Sequence, residues 1–228
     1  MPTAIVTGAS RGLGLALARA LARAGWSLVI DARGSAELAR AARELGRLTD
    51  VAALPGDVSD PDHRRELVEA AGERVDLLVN NASALGPSPL PALDAYPLDE
   101  LERVYRVNVL APLALVQLAL PRIPEGGRIV NVTSDAGVEA YEGWGGYGSA
   151  KAALEQLSRV LGVEHPELRV YAVDPGDMRT RMQQDAFPGE DISDRPPPED
   201  SVPGLLALVT GDLESGRYTA RELSEVVA

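Results

Sequence analysis

The sequence predicts an α/β fold in which a parallel sheet carries helices on both faces. Short apolar runs alternate with amphipathic stretches along the chain, as in successive strand–helix–strand units. A glycine-rich segment, residues 7–14, follows the first apolar run, where such folds bind phosphate groups. The length of 228 residues and the 45% hydrophobic composition suffice for one core, so we expect residues 1–228 to form a single domain.

The apolar runs and helical periodicities define the elements in order. In the first helix, Leu13, Leu17 and Leu21 share one face, and Gly25 follows as a stop signal. Asp60 and Pro61 form a cap that opens the third helix. The predicted strands span residues 4–7, 26–30, 50–54, 76–80, 128–132, 169–173 and, at an edge of the sheet, 222–227. The predicted helices span residues 13–24, 36–45, 61–74, 98–120, 147–163 and 202–210, with loops at 83–97 and 176–198.

The composition disfavours several classes of partner. The chain has 34 acidic and 22 basic residues and a formal charge of −12, so we expect neither nucleic acid nor membrane as a partner. It has no cysteine, which excludes disulfides and thiolate metal sites. We see no apolar run long enough to span a bilayer, and the first residues resemble a strand more than a signal peptide. We therefore expect a cytoplasmic location, and we expect His63 and His165 to be surface residues that bind no metal.

The glycine-rich segment reads Thr-Gly-Ala-Ser-Arg-Gly-Leu-Gly and lies at the predicted turn from the first strand into the first helix. Glycines there allow a tight turn and let the backbone approach a pyrophosphate, whose charge the helix N-terminus stabilises. This context predicts a Rossmann-type dinucleotide site. Its predicted residues are Gly8, Ser10, Arg11, Gly12, Leu13 and Gly14.

The end of the second strand, Asp31-Ala32-Arg33, bears on which dinucleotide is bound. A carboxylate there accepts hydrogen bonds from the adenosine ribose, whereas cations favour the 2′-phosphate of NADP. Arg33 and Arg11 would together supply two guanidinium groups, so we favour NADP over NAD. The alternative is that Arg33 is a solvated turn residue and that Asp31 binds the ribose.

The chain contains a single lysine, Lys151, four residues after Tyr147, and arginine fills every other basic position. Residues four apart share a helix face, so the Lys151 ammonium can lie beside the Tyr147 phenol and favour its anionic form. Lysine, unlike arginine, combines a compact charge with proton transfer. The alternative is a chance pair on a solvated helix.

Four motifs occur in order along the chain: the segment 7–14, Asn80-Asn81-Ala82, Ser134, and Tyr147 through Lys151. This arrangement resembles the short-chain dehydrogenase/reductase family over nearly the whole chain. The resemblance implies that Tyr147 is the catalytic acid/base, that Lys151 lowers its pKa and holds the nicotinamide ribose, and that Ser134 orients the substrate oxygen. It also implies that Asn108 holds a water leading to Lys151. Without the resemblance, Asn108 would be interpreted as a surface residue.

The resemblance implies further cofactor contacts, with the Asp57 carboxylate accepting from the adenine amine. The residues concerned are Asp57, Val58, Asn80, Ala82, Pro175, Gly176 and Thr180. The chain departs from the family pattern in three places. Ser83 stands where glycine usually follows the asparagine pair and alanine, Asp174 replaces the usual asparagine before Pro175, and the C-terminal segment lacks the usual glycine pair.

Two segments supply candidates for the substrate pocket. Tyr141 and Trp144 lie between the predicted serine and tyrosine, and Met178 lies in a substrate loop at about 176–200, which also holds Met182 and Phe187. Aromatic residues make up only 4% of the chain, so two in one short segment indicate a pocket wall, although packing explains each equally well. Such a pocket suits an apolar body carrying a carbonyl or hydroxyl group.

These inferences predict an NADP(H)-dependent oxidoreductase that transfers a hydride between nicotinamide and a carbonyl or alcohol carbon of a small, largely apolar molecule. The alternative is an NAD(P)-binding sensor without turnover, which would not need the full set of four catalytic residues. The resemblance also implies a homodimer or homotetramer packed through the helices at 98–120 and 147–163.

Overall fold

The computed structural model describes residues 1–227, which contain a sheet of seven strands. The strands are β1 (Thr3–Val6), β2 (Ser27–Ala32), β3 (Val51–Pro55), β4 (Leu77–Asn80), β5 (Arg128–Val132), β6 (Arg169–Asp174) and β7 (Gly216–Thr219). Neighbouring strands run parallel in the order β3-β2-β1-β4-β5-β6-β7. The order reverses between β1 and β4, as in doubly wound folds, so the predicted fold class is confirmed.

Helices connect the strands and cover both faces of the sheet. They are α1 (Gly12–Arg23), α2 (Ser35–Leu45), α3 (Pro61–Ala70), α4 (Leu98–Tyr105), α5 (Ala111–Ala119), α6 (Gly145–Glu164), α7 (Arg181–Ala186), α8 (Val202–Thr210) and α9 (Ala220–Val227). The predicted cap of α3 is present, because the Asp60 side chain accepts from the Asp62 N–H at 2.9 Å. The helix ends at Ala70, before the predicted end at residue 74.

Alternate residues of the central strands pack on opposite faces of the sheet. Ile5 of β1 packs with α3, α5 and α6, whereas Ala4 and Val6 pack with α1, α2 and α8. Because both faces are covered, these strands are nearly continuous apolar runs in the sequence. Leu17 and Leu21 of α1 are fully buried, and truncating either to alanine would cost about 2–5 kcal/mol of folding stability.

The predicted helix at 98–120 is continuous but irregular in its middle. A π-helical turn, Arg106–Leu110, separates α4 from α5, and the Ala111 N–H bonds the Arg106 carbonyl. Pro112 has no N–H, so the Asn108 carbonyl, one α-helical turn earlier, loses its usual donor. The missing donor accounts for the wider turn, which presents Asn108 to residues 83–84.

The same stretch, Leu98–Arg122, has a length and an apolar composition that would allow it to cross a bilayer. This finding contradicts the expectation that no apolar run is long enough to do so. Half of its apolar window is buried, and Leu115, Val116 and Ala119 pack against the sheet. Its packing as a core helix accounts for this composition. A cytoplasmic location and the absence of membrane and nucleic-acid partners stay predictions.

The C-terminal segment differs from the prediction. The predicted strand at 222–227 is wrong, because this segment lies in α9, and the edge strand is β7, which pairs with β6. An edge strand is only partly buried and needs no continuous apolar run, so β7 has no strong sequence signal. It is held in part by Tyr218, whose ring packs edge-on against Tyr171 with centroids 5.8 Å apart.

The predicted loop at 176–198 contains α7, whose first turn is capped by the Thr180 hydroxyl. The Arg179 N–H donates to the Pro196 carbonyl at 2.8 Å, so the segment folds back on itself. The Ser88 hydroxyl donates to the Asp185 carbonyl at 2.6 Å and ties α7 to the loop that follows β4. Both loops therefore lie at the carboxyl edge of the sheet.

Candidate active site

The carboxyl ends of the strands open into a cleft of about 1030 Å³. It lies where the strand order reverses between β1 and β4, the position at which parallel sheets bind dinucleotides. Most residues predicted to bind the cofactor line this cleft: Gly8, Ser10, Arg11, Gly12, Leu13, Arg33, Asp57, Val58, Ala82, Lys151, Pro175 and Thr180. The geometry thus brings distant segments together at one elongated site.

The glycines of the first turn are required for two different reasons. Gly8 has a φ of 68°, and a Cβ there would lie 2.9 Å from the Ala82 Cα. A Cβ on Gly14 would lie 2.6 Å from the Gly8 carbonyl oxygen, so Gly14 allows close packing and stands behind the cleft wall. Arg11 at the N-cap position supplies no side-chain acceptor, and the first N–H groups of α1 are available to a pyrophosphate.

Two arginines line the cleft near the end of β2. Arg33 is exposed, and the half-exposed Arg11 has its Nη1 3.0 Å from the Glu37 Oε2. An exposed ion pair contributes little stability, so Arg11 can exchange Glu37 for a phosphate at small cost. This part of the cleft therefore contains two guanidinium groups that suit a 2′-phosphate.

Asp31 is buried, and both of its carboxylate oxygens are engaged inside the protein. Its Oδ1 accepts from the Gly8 N–H at 2.7 Å, and its Oδ2 lies 3.1 Å from the His63 Nε2. These bonds disfavour the alternative in which Asp31 binds the ribose. The expectation that His63 is a surface residue is wrong: its side chain is 5% exposed, because Asp31 provides a buried partner. His165 is more exposed and lies beside Glu167.

Tyr147 and Lys151 lie one turn apart on α6 and line the same cleft. The Lys151 Nζ is 5.4 Å from the centroid of the Tyr147 ring and donates to the Val132 carbonyl at 2.7 Å. Burial lowers the pKa of Lys151 to about 8, which leaves the ammonium mostly charged at neutral pH. Burial also raises the pKa of Tyr147 above that of a free phenol. Tyr147 is therefore a proton donor here, and added positive charge would be needed to make it a base.

Two serine hydroxyls face the Tyr147 hydroxyl. Burial has the largest effect on the pKa of Tyr147, and the nearby hydroxyls of Ser83 and Ser134 oppose it. The Ser134 hydroxyl also donates to the Asp135 Oδ1 at 2.8 Å, and the Ser83 hydroxyl donates to the Asn108 Oδ1 at 3.2 Å. Ser83 was not predicted as a site residue. The available signal was its presence where the family pattern usually has glycine.

Asn108 is buried behind the catalytic pair, so its interpretation as a surface residue from sequence alone is wrong. Its Nδ2 donates to the Ala84 carbonyl at 2.8 Å, and its Oδ1 accepts from the Ala84 N–H at 2.8 Å. Asn108 is buried because the loop after β4 folds over the π-helical turn and forms hydrogen bonds with both polar atoms of its side-chain amide. Asn108 thereby fixes the loop that carries Ser83. Its role in holding a water toward Lys151 stays a prediction.

A second cavity, of about 400 Å³, adjoins the cleft at Tyr147. The four residues predicted to contact substrate, Ser134, Tyr141, Trp144 and Met178, all line it, together with Gly176, Met182 and Phe187. The Trp144 ring packs edge-on against the Tyr147 ring with centroids 5.7 Å apart. Among the described residues, the charged side chains of its wall are three carboxylates, Asp135, Asp174 and Asp177.

Asn80, predicted to contact the cofactor, lies behind the cleft. Its Nδ2 donates to the Asn131 Oδ1 at 2.8 Å, and the Asn131 Nδ2 donates to the Ser158 hydroxyl at 2.8 Å. This chain of buried bonds joins β4 and β5 to α6. Asn80 therefore helps to hold the helix that carries Tyr147 against the sheet.

The departure at Asp174 is accompanied by an ion pair that the sequence did not predict. The Asp174 Oδ1 accepts from the Gly176 N–H at 2.9 Å, which fixes the turn after β6. Its Oδ2 lies 3.3 Å from the Nη2 of Arg217, and the Arg217 Nε lies 3.0 Å from the buried Glu155 Oε1. Arg217 of β7 thus compensates the carboxylate that replaces the usual asparagine.

Tyr147 is a proton donor that lies between the dinucleotide cleft and the adjoining apolar cavity, with Lys151 beside it. This arrangement defines the class of nicotinamide-dependent oxidoreductases.

Comparison with known proteins identifies the family. A family model described as short chain dehydrogenase matches residues 2–191, and the chain belongs to this family. It is 38% identical over 191 residues to the rhamnolipids biosynthesis 3-oxoacyl-[acyl-carrier-protein] reductase of Pseudomonas aeruginosa, covering 78% of this chain and 73% of that protein. The protein is thus an NAD(P)-dependent short-chain oxidoreductase.

Solved structures agree with this assignment. A short chain dehydrogenase from Pseudomonas syringae matches with a TM-score of 0.89 and 31% identity, covering 96% of this chain and 94% of that one. The RhlG/NADP active-site complex of Pseudomonas aeruginosa matches with a TM-score of 0.82 and 32% identity, covering 96% and 94% of the two chains.

Proposed function

We propose that the protein uses NADP(H) to interconvert a carbonyl group and the corresponding alcohol on a small, largely apolar molecule. Residues 1–228 would act as one domain, with the loop at about 176–200 over the substrate. The observation that carries this proposal is the position of Tyr147, which lines both the dinucleotide cleft and the apolar cavity. A proton donor at this junction can reach the oxygen of a molecule whose reacting carbon faces the cleft.

The residues of the cleft fit NADP(H). The backbone at Gly8 and the start of α1 would hold the pyrophosphate, Arg11 and Arg33 the 2′-phosphate, and Lys151 the nicotinamide ribose. Bound NADPH would supply the hydride. The NADP in the Pseudomonas aeruginosa RhlG structure supports this choice of cofactor.

The side chains around the cavity have complementary roles in the reduction. Tyr147 would donate the phenolic proton to the substrate oxygen, because burial keeps this group protonated. Ser134 would turn its hydroxyl from Asp135 toward the same oxygen and stabilise its developing charge. Asn108 would hold the Ser83 loop and support the proton path at Lys151. For alcohol oxidation, the positive charge of Lys151 favours the phenolate.

The charge of the cavity restricts the substrate further. Its carboxylates include Asp135 and Asp177, and among the described residues that line it none is lysine, arginine or histidine. A carboxylate or phosphate close to the reacting carbonyl would therefore be repelled. We infer that neutral ketones and diketones with an apolar or aromatic body are preferred.

The proposal is tested by following NADPH oxidation with a panel of neutral ketones and diketones, each paired with a carboxylated analogue. We expect turnover of neutral compounds, with kcat/KM at least about tenfold lower for the charged analogue of each pair. Tight NADPH binding without oxidation across the panel would contradict the proposal and favour a sensor. Higher kcat/KM for the carboxylated compounds would contradict the substrate class alone.

Tyr147→Phe removes the donor hydroxyl and keeps the ring that packs against Trp144. We expect kcat to fall by about 10²–10⁴, the usual contribution of a general acid, while NADPH affinity changes little. The matched control is Tyr218→Phe, whose hydroxyl bonds the Glu214 carbonyl away from the site. Equal kcat values for Tyr147→Phe and the wild type would refute the assignment.

A further inference from the structure

A buried histidine–aspartate pair lies at the wall of the dinucleotide cleft: Asp31 lines the cleft, and His63 lies behind Asp31. The His63 and Asp31 side chains are 5% and 1% exposed, with the His63 Nε2 3.1 Å from the Asp31 Oδ2. The His63 ring fills the space beside Gly56, where a Cβ would overlap it. Gly56 and the adjacent Asp57 line the cleft, so the pair supports its wall from inside.

The second oxygen of Asp31 reaches the glycine-rich turn. Its Oδ1 accepts from the Gly8 N–H at 2.7 Å, and Gly8 has the positive φ that shapes the turn. The sequence of contacts His63–Asp31–Gly8 therefore connects α3, the end of β2 and the phosphate cradle. The end of β2 and the cradle line the cleft, whereas none of the described residues of α3 does. None of the four catalytic residues belongs to this connection.

We propose that Asp31 and His63 are positioning residues for the phosphate cradle, and that protonation of His63 strengthens the binding of NADP(H). The proposal rests on the proposed function, because it concerns the affinity for the same cofactor. A carboxylate behind the cradle repels the phosphates of the cofactor unless a cation compensates it. Protonated His63 supplies that cation within hydrogen-bond distance, and neutral His63 leaves the charge of Asp31 exposed to the cradle.

The charges around His63 determine the direction of the pH dependence. The hydrogen bond with Asp31 raises the pKa of His63, burial opposes this, and the nearby carboxylates of Glu66 and Asp60 raise it further. Asp57 lies near both His63 and Arg33 at the cleft. A raised histidine pKa means that the compensating charge is present at low pH and is lost as the pH rises through that pKa. The affinity for NADPH should fall over the same range.

The wild-type protein allows a direct test, because His63 and His165 are its only histidines. Their ring signals can be titrated by NMR and assigned with His165→Gln, which alters the more exposed histidine. We expect NADPH to raise the pKa of His63 by about 0.5–1 unit, corresponding to a threefold to tenfold linkage, while the ring signals of His165 do not respond to NADPH. An unshifted His63 signal in the presence of saturating NADPH would overturn the proposal.

Two variants separate the charge from the hydrogen bonds. His63→Gln keeps a donor near the Nε2 position but cannot be protonated, and Asp31→Asn keeps an acceptor for the Gly8 N–H without a charge. The Kd for NADPH is measured from pH 5.5 to 8, and the Kd of each variant is divided by the wild-type Kd at the same pH. This ratio cancels the effects of the titration of Lys151 and of the cofactor phosphate, which all three proteins share. As the pH rises over this range, the wild-type Kd should increase by a factor about threefold to tenfold larger than the Kd of either variant does.

The kinetic readout separates this role from a merely structural one. At low pH, His63→Gln should raise the KM for NADPH while kcat at saturating NADPH stays within about twofold, with His165→Gln as the control. The same pH dependence of Kd in the wild type and both variants would overturn the proposal while leaving the proposed function intact. Failure of the wild type to bind NADPH at any pH would contradict the proposed function and this inference together.

Discussion

At the level of single residues, the charge of Lys151 is the most sensitive feature of the site. This side chain is 2% exposed, and burial lowers its pKa to about 8. A proton on Lys151 favours the ionised form of Tyr147 and attracts the ribose and phosphates of a cofactor. Because the pKa is so close to neutrality, a modest rise in pH removes the only ammonium side chain of the protein.

The pH dependence of carbonyl reduction follows from this pKa. As the pH rises through about 8, Lys151 loses its charge, and we expect kcat/KM for the ketone to fall by up to about tenfold per pH unit. Lys151→Arg serves as the comparison, because a guanidinium does not titrate in this range but is bulkier than the buried ammonium. This variant should be at least about 100-fold less active and show no fall near pH 8. A flat profile for the wild type from pH 7 to 10 would contradict the assignment.

The preference for NADP is also decided by single residues. Arg33→Ala removes an exposed guanidinium from the cleft wall, and we expect the KM for NADPH to rise about 10- to 100-fold while that for NADH changes little. Arg40→Ala is the matched control, because Arg40 is exposed on α2 but does not line the cleft. Equal effects of Arg33→Ala on the two cofactors would show that Arg33 does not bind the 2′-phosphate.

At the level of elements, the close contact between α1 and the loop after β4 determines the shape of the phosphate cradle. The Asn81 Nδ2 donates to the Thr7 carbonyl at 2.8 Å, directly beside Gly14. A methyl group at Gly14 would lie 2.6 Å from the Gly8 carbonyl oxygen, a backbone atom that cannot move without the turn. The first turn of α1 and the end of β4 are therefore positioned by each other.

Gly14→Ala tests this coupling. We expect it to lower the free energy of unfolding by about 1–3 kcal/mol, as overpacking does, and to weaken NADPH binding because the turn must shift. Gly216→Ala is the control, since the nearest atom to its added Cβ would be at an ordinary 3.5 Å. Chemical denaturation measures both variants. A Gly14→Ala protein as stable as the wild type would show that the turn and the Asn81 side chain relax easily.

The sequence predicted those elements whose burial is reflected in a local pattern. Strands covered on both faces, such as β1 and β4, appear as short apolar runs and were found within one or two residues. The sequence does not predict β7, because its partly buried residues form no such run, and it wrongly predicts a strand where α9 lies. The π-helical turn was missed because its cause, a proline one turn after Asn108, has this effect only inside a continuing helix.

In the candidate site as well, the sequence predicts the residues that a local pattern relates and does not predict those placed by distant partners. Tyr147 and Lys151 were predicted because their spacing along one helix fixes their relation. His63, Ser83 and Arg217 take their positions from partners distant in the chain: Asp31, Asn108 and Asp174 respectively. No local periodicity in the sequence indicates such pairs, so the prediction of a surface position for His63 is wrong and the sequence makes no prediction for Arg217.

At the level of the whole molecule, exposed apolar residues contrast with the strongly acidic composition. Leu98 of α4, Leu110 of the π-helical turn, and Val160 and Val163 of α6 are all exposed. These segments lie next to one another on one side of the sheet. A net charge of −12 favours solubility but does not cover such a surface. We therefore propose that two copies of the chain pack through these helices, as a homodimer or as half of a homotetramer.

Sedimentation equilibrium tests this assembly. We expect the wild type to be a dimer or tetramer, and the double variant Leu110→Asp/Val163→Asp to dissociate, because each buried apolar side chain contributes about 1.5–3 kcal/mol to such an interface. The added charges would also repel their copies across a two-fold axis. Leu48→Asp is the control, since Leu48 is similarly exposed in the turn after α2, away from these helices. All three proteins should unfold at similar temperatures at concentrations where they are monomeric. A wild-type protein that sediments as a monomer at micromolar concentration would contradict the assembly, and dissociation caused equally by Leu48→Asp would place the interface elsewhere.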